Sequence, residues 1–418
     1  MISTYLFIAG TLFLCLNFIR FQGLAISDWL FIGSFIIALF ETFQIDQKNQ
    51  FCWLKNRYLP YAYLLLIGAT ISMFRANNLQ IAFVELFQLL YVITIYISLI
   101  WIMKNRGKLE LVLKTFVISG FFSAAVACVD YVTGAKFGPM LSNNLYGQLW
   151  GRYAGTLGHP NKFGYFLVIT AICTIFLIVS NKKLNKIFWI FCLLIQIMGI
   201  YLSGSLTAYL GLLLGFSSIF VNLAVRKQIS VPGTLLIIFL LLTIFSVAAI
   251  FSGAFDKNST NIQNNTILTA IDRVRLTTAG SRLVIYNEAI QASIKSPIVG
   301  VGFDQVATSG VSENKRDISG TVHNSVIQVI YVGGIVACLG FILIYADLVR
   351  NSMRVILFKK KRSQSFMYIC LAAASLAIIL MDQFQSSLYL REKWLAVGIF
   401  ASLMWSELLP GENSRIKK

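Results

Sequence analysis

Charged residues are scarce in this sequence. Only 12% of its 418 residues are Asp, Glu, Lys or Arg, whereas 57% are hydrophobic and the mean hydropathy is +0.74. Soluble domains typically contain about a quarter charged and about half apolar residues. This composition therefore excludes an ordinary soluble protein, and we expect lipid to be the solvent for most of the chain.

Acidic residues are the rarer charged class, with 17 Asp and Glu against 35 Lys and Arg, which gives a net charge of +18. A large positive charge is common in nucleic-acid-binding proteins. Here, however, the basic residues lie in short loops between apolar runs, a pattern that indicates membrane topology. We therefore expect membrane lipids, and no nucleic acid, among the partners.

Several kinds of chemistry lack their usual motifs. The seven cysteines form no CxxC pair and mostly lie in apolar runs, as small buried hydrophobes do. The outer loops have no Asp/His cluster of the kind that binds metals and no paired carboxylates of the retaining-glycosidase type. A Walker A motif, or a GxGxxG in a strand context, is also missing. The sequence therefore predicts neither a metal nor a cofactor.

Long apolar runs dominate what is present. Because backbone groups in lipid need partners within their own segment, each run predicts a helix, and the chain is predicted to be an all-α polytopic membrane protein with about twelve transmembrane helices. The runs lie near 3–19, 24–43, 59–74, 81–103, 109–129, 163–180, 184–202, 205–222, 232–252, 322–348, 366–383 and 393–409. Residues 1–252 then carry helices one to nine, residues 253–321 form one large loop, and residues 322–418 carry the last three helices.

Basic residues alternate from loop to loop, which predicts the orientation. With the first helix retained rather than cleaved, both termini are predicted to be cytoplasmic. The two long segments 130–162 and 253–321 are then extracytoplasmic.

The later half of the large loop has a helical pattern. Ser281 is a candidate N-cap for a helix over roughly 282–295, in which Leu283, Tyr286, Ile290 and Ile294 recur at helical spacing. The following SPIVGVGFDQ supplies a proline and two glycines that end it. We expect this amphipathic helix to lie against the bundle or on the membrane surface.

Basic residues on the outer side are not explained by topology. Together they predict a cationic surface at the outer membrane boundary, formed by Arg152, Lys162, Arg273, Arg275, Arg282, Arg391 and Lys393. One interpretation is the binding of lipid headgroups. Arg282 favours a more specific site, because a cation in the first turn opposes the helix dipole unless an anion also binds there.

The chain has only two histidines, and His323 lies at the start of the tenth apolar run. Desolvation, the positive end of that helix and nearby arginines all disfavour the imidazolium. A neutral imidazole at pH 7 is what a general base requires. The alternative is that His323 caps the helix or hydrogen-bonds a loop carbonyl.

Three stretches carry a resemblance to a known family. RYAGTLGHPNKFG at 152–164, SRLVIYNEAIQASIKSPIVGVGF at 281–303 and HNSVIQVIYVGGI at 323–335 resemble the O-antigen ligase and polymerase superfamily in content and order. The resemblance implies a GT-C-like membrane glycosyltransferase that needs no metal. It implies transfer of a glycan, on the outer face of the bacterial inner membrane, from undecaprenyl diphosphate to an acceptor hydroxyl on lipid A core, a growing polysaccharide or a protein.

The resemblance also assigns residues. It implies that His323 is the catalytic residue and that Arg282 binds the donor diphosphate. It also implies that Arg152 belongs to the RxxGT…PN element of the family, which ends in Asn161. Leu206 stands where many members carry a further arginine. Arg152, Lys162 and Arg391 are therefore the candidates for a second cation. His159 replaces a frequent asparagine and is interpreted as structural. Direct displacement on the donor implies inversion at C1.

Two other classes fit the same sequence features. A polysaccharide flippase or transporter also needs many spans and cationic surfaces, and a structural partner in a cell-wall complex needs no reactive residue at all. Within the enzyme class, ligase and polymerase differ only in the acceptor, and the sequence does not identify the acceptor.

Overall fold

The computed structural model describes residues 2–16, 20–21, 24–44, 59–102, 106–138, 152–180, 183–225, 282–305, 321–358 and 362–408. These residues are almost entirely helical. The helices are α1 (Ile2–Leu12), α2 (Ile26–Gln44), α3 (Leu59–Met73), α4 (Leu79–Ile102), α5 (Arg106–Thr133), α6 (Pro160–Ser180), α7 (Lys183–Ser203), α8 (Leu206–Val225), α9 (282–295), α10 (Ser325–Phe358), α11 (Arg362–Asp382) and α12 (Arg391–Leu408).

Every predicted apolar run except one coincides with a helix. The exception, 232–252, lies outside the described residues, as do Ser281 and the start of the large loop. Among the described helices, α4, α5, α6, α7, α8 and α10 are long and apolar enough to cross a membrane. The chain is thus a helical, multi-pass membrane protein.

The first predicted run, 3–19, is too long. Helix α1 ends at Leu12 and passes through a single 3-10 turn, Phe13–Cys15, into a two-stranded antiparallel hairpin of β1 (Arg20–Phe21) and β2 (Leu24–Ala25). The Oδ2 atom of Asp28 accepts the N–H of Ala25 at 2.8 Å, which fixes the start of α2. Apolar composition does not reveal this turn, because Phe13–Cys15 are as apolar as the helix before them.

Small residues bring helices α3 and α10 into close contact. A Cβ atom at Gly68 would lie 2.3 Å from the backbone nitrogen of Ala337, and one at Gly340 would lie 2.4 Å from that of Leu65. Such close backbone approach favours helix association in lipid, where apolar burial gives little driving force. Apolar side chains on the outside of α7, such as Phe191 (52% exposed), instead suit contact with lipid.

The bundle interior contains a buried ion pair. Lys393 and Asp382 are both essentially inaccessible, and the Nζ atom of Lys393 lies 3.1 Å from Oδ2 of Asp382. Tyr165 also donates a hydrogen bond to Asp382, at 2.7 Å. Buried charges need such partners. Lys393 therefore does not belong to the predicted outer cationic surface.

Helix α9 covers the predicted range 282–295, and it buries small side chains rather than its largest apolar ones. Leu283 and Ile294 are 67% and 64% exposed, whereas Ala289 and Ser293 are buried. The small residues allow α9 to dock on the bundle, and the larger apolar side chains point outward. That outward stripe suits the membrane surface, so both expected environments apply to the same helix.

The segment after α9 is held to α10 by a backbone clamp, which we define as residues 296–303 together with 331–335. Val301 donates its N–H to the carbonyl of Tyr331 at 3.0 Å, and Ile335 donates to Pro297 at 2.8 Å. Helix α10 breaks its regular geometry at Gly334, whose φ is +67°, and a Cβ there would lie 2.2 Å from the oxygen of Ile298. The clamp fixes α9 relative to the start of α10.

Candidate active site

The turn before α6 is shaped by glycine. Gly155 has a φ of +51°, and a Cβ there would lie 2.5 Å from the backbone oxygen of Ser123. The next residue, Thr156, donates from its backbone to the hydroxyl of Ser123 at 3.2 Å. These contacts dock the GTLGHPN turn on α5 and set the direction in which α6 begins.

Arg152 lies along the backbone between α7 and α8. Its Nε atom donates to the carbonyl of Ser203 at 2.8 Å, and Nη2 donates to Oδ1 of Asn161. Gly204 leaves room for the side chain, since a Cβ there would lie 3.2 Å from Cγ of Arg152. The guanidinium is therefore anchored at two points, and its remaining N–H groups stay available for a ligand.

The start of α10 is capped by Asn324 and not by His323. The Oδ1 atom of Asn324 accepts the N–H groups of Val326 and Ile327 at 2.9 and 3.0 Å. Ser325 donates to the carbonyl of Gln385 at 2.8 Å and thereby ties α10 to the turn between α11 and α12. The interpretation of His323 as a helix cap is wrong. Within the described parts of the chain, its ring has no hydrogen-bond partner.

Helix α9 brings Arg282 to His323. Tyr286 donates its hydroxyl to the backbone carbonyl of His323 at 2.8 Å, and Arg282 precedes Tyr286 by one turn on the same face. The Nε atom of Arg282 is buried and has no hydrogen-bond partner among the described residues. Burial and the positive charge of Arg282 lower the pKa of His323 to about 4. At neutral pH its imidazole is therefore uncharged.

The basic groups of this region influence one another, which shows that they converge. Burial lowers the pKa of Arg152; Tyr209 opposes this effect and Arg282 adds to it. Arginine remains charged despite such a shift. Desolvation lowers the pKa of His159 to about 4, with contributions from Lys162, Arg152 and His323. The predicted residues Arg152, Arg282, His323 and Lys162 thus share one region at the starts of α6, α9 and α10.

Arg391 has a different setting. It is buried and ion-paired with Asp28, donates to the hydroxyl of Ser27 at 3.0 Å, and lies 3.5 Å from Glu392. Its charge is therefore already balanced by carboxylates. Arg391 and the exposed Lys162 line one cavity of about 300 Å³. A role for either in donor binding stays a prediction, and the ion pairs favour Lys162 over Arg391.

No metal cluster is found in the described residues: no three His, Cys, Asp or Glu side chains lie together there. The region instead presents hydrogen-bond donors, positive charge and two neutral imidazoles, those of His159 and His323. This set is suited to binding an anion beside a group that accepts a proton.

The fold is that of a multi-pass helical membrane protein, and cationic side chains and two neutral imidazoles lie together at one end of its helices. Residues 191–342 match the family model Wzy_C, described as O-Antigen ligase. This match confirms the resemblance for residues 191–342, which are similar to the O-antigen ligase family. The matched region includes Arg282 and His323, whereas Arg152, His159, Lys162 and Arg391 lie outside it. A comparison with curated proteins gave no match.

The sequence did not reveal that Tyr286 links α9 to the backbone of His323. It also did not reveal that the ring of His159 accepts the N–H of Asn161 in the turn before α6. A signal for His159 was present, because a histidine directly before a helix-starting proline lies at the positive end of the helix dipole.

Proposed function

We propose that the chain transfers a glycan from undecaprenyl diphosphate to an acceptor hydroxyl, as a surface-polysaccharide ligase or polymerase. The observation that carries the proposal is the neutral, half-buried imidazole of His323 beside Arg282, with Arg152 nearby. In this proposal the protein is a twelve-span, GT-C-like enzyme of the bacterial inner membrane. Both termini are cytoplasmic and the site faces outward.

In the proposed reaction His323 takes the proton of the acceptor hydroxyl. The acceptor oxygen attacks C1 of the donor sugar from the face opposite the diphosphate, a C1–O bond forms, and the C1–O bond to phosphate breaks. Undecaprenyl diphosphate leaves with the electron pair, and the configuration at C1 inverts. No step in this scheme requires a metal.

Arg282 and Arg152 stabilise the leaving group. Negative charge grows on the bridging oxygen as the bond breaks, and preorganised guanidinium groups in a partly desolvated site interact with it strongly. Removing one such donor typically costs about 3–4 kcal/mol of transition-state stabilisation.

The test is an assay with purified protein, undecaprenyl-diphosphate-linked oligosaccharide and a glycan acceptor, without nucleotide. We expect product with an inverted linkage. His323→Ala should reduce kcat on the order of 10²–10⁴-fold, the usual contribution of a general base. Asn185→Ala, an exposed polar position at the other end of the bundle, serves as the control.

Full activity of His323→Ala would show that His323 is not the general base. Transport of the lipid-linked glycan between leaflets without product would instead support the flippase.

A further inference from the structure

The second histidine, His159, occupies an unusual position in the turn before α6. It is exposed, and its Nδ1 atom accepts the backbone N–H of Asn161 at 3.2 Å. In a neutral imidazole, one ring nitrogen accepts and the other carries the proton. The Nε2 atom of His159 therefore carries an N–H, and within the described residues this group has no hydrogen-bond partner.

The neighbours of His159 are donors and cations. Asn161, whose N–H binds the ring, also accepts the Nη2 hydrogen of Arg152, so the three side chains form one connected group. The other ionisable groups that act on the imidazole are Lys162 and His323. No carboxylate is among them.

An anion beside Arg152 can accept from the guanidinium N–H groups that Ser203 and Asn161 do not use, and a further donor next to them would strengthen the binding. Arg152 already uses Nε on Ser203 and one Nη2 hydrogen on Asn161. Leu206, at the start of the adjacent α8, has no polar atom to add. A free Nε2–H at the rim of the same group provides the additional donor.

We propose that His159 binds the donor diphosphate by donating its Nε2–H to a phosphate oxygen beside Arg152. This inference rests on the proposed function, and it replaces the structural interpretation that the sequence suggested. His159 then has two roles, divided between its ring nitrogens. Nδ1 shapes the turn, and Nε2 binds the substrate.

Two substitutions separate these roles. Asn places a side-chain oxygen near the position of Nδ1, and such side chains readily accept the N–H two residues later. His159→Asn thus preserves the turn and removes the outward donor. Gln reaches the position of Nε2 with an amide N–H, so His159→Gln preserves the outward donor and removes the turn contact.

The measurement is equilibrium binding of undecaprenyl diphosphate to full-length protein in lipid nanodiscs, in a His323→Ala background that excludes turnover. We expect His159→Asn to weaken binding about tenfold, the upper range for one hydrogen bond, and His159→Gln to stay within about threefold. Equal losses in both variants, no loss in either, or a loss in His159→Gln alone would each overturn the inference.

A different result would reject the proposed function. If protein with His159 intact shows no binding of undecaprenyl diphosphate, the donor assignment fails, and the role of His159 fails with it. Normal binding with an unchanged affinity in His159→Asn rejects only the role of His159.

Discussion

At the scale of single residues, the electrostatics of His323 decide its chemistry. An isolated histidine has a pKa near 6.5, and part of its population is charged at neutral pH. Burial and Arg282 lower the pKa of His323 to about 4, so the charged form is disfavoured throughout the range from pH 5 to 8. The residue can therefore accept a proton at neutral pH. A bound diphosphate would oppose the effect of Arg282 and make the imidazolium easier to form.

This leads to a prediction for the pH dependence. In the free enzyme a lowered pKa keeps the base neutral until the pH falls to about 4, so kcat/KM should decline near pH 4 and not near 6.5. Arg282→Gln removes one of the two causes, and the acidic limb of its residual activity should move upward. The measurement is the pH profile of kcat/KM.

The control for this profile is Arg350→Gln, which changes an exposed arginine at the far end of α10 and should leave the limb unchanged. An acidic limb near pH 6.5 in the unaltered protein would contradict the environment described for His323.

At the scale of elements, the clamp between 296–303 and 331–335 is the feature that positions Arg282 relative to His323. It fixes the end of α9 against the irregular turn of α10, while Tyr286 fixes the other part of α9 to the carbonyl of His323. Arg282 and His323 belong to segments separated by a long stretch of chain. Their proximity depends on these two attachments.

Replacing each of three glycines by alanine should separate the effect of steric crowding on stability from the effect of a positive φ. Gly334→Ala combines a positive φ with a Cβ 2.2 Å from Ile298 oxygen, Gly134→Ala has a positive φ but open space, and Gly33→Ala lies in a helix with its nearest neighbour at 4.0 Å. A left-handed conformation costs about 1–2 kcal/mol for a residue with a Cβ. We expect thermal stability to fall most in Gly334→Ala, less in Gly134→Ala and not at all in Gly33→Ala.

Activity should follow a different order. Only Gly334→Ala should also lose catalysis, by more than about tenfold, because misplacement of catalytic groups by about 1 Å can cost about a hundredfold. Wild-type activity in Gly334→Ala would show that the clamp does not position the site.

At the scale of the whole molecule, the distribution of charge predicts which end of the bundle faces the cytoplasm. The starts of α6, α9 and α10 lie at one end, together with the candidate site. Arg350 lies near the other end of α10, close to a basic segment, 359–362, whose first three residues lie outside the described chain. The excess of basic residues in alternate loops predicts that this second end lies in the cytoplasm.

Cysteine labelling tests this orientation. In a Cys52→Ser background, Lys295→Cys should react with a membrane-impermeant maleimide in intact cells, whereas Arg350→Cys should react only after permeabilisation. Both positions are exposed, so access to the reagent is set by the membrane. The Cys52→Ser parent gives the background from the other cysteines, and the reverse labelling pattern would place the site in the cytoplasm.

Much of the fold was predictable because lipid imposes a strict rule on sequence. A segment in a bilayer must satisfy its own backbone hydrogen bonds, so long apolar runs become helices, and the predicted runs within the described residues coincide with helices. The bounds of α9 were predictable for a local reason as well, since helical spacing and the following proline and glycines define them. The end of α1 was not, because Phe13–Cys15, which form the 3-10 turn, are as apolar as the helix before them.

The sequence by itself determined a multi-pass helical membrane protein that resembles the O-antigen ligase family, with Arg282 and His323 as candidates, since periodicity, apolar length and local motifs are properties of contiguous residues. Only the tertiary structure decided which groups meet. It paired Arg391 with Asp28 and Lys393 with Asp382, turned the large apolar side chains of α9 outward, and joined His159 to Arg152 through Asn161. The physical reason is that charge balance and burial depend on neighbours distant in sequence, which helix packing brings together.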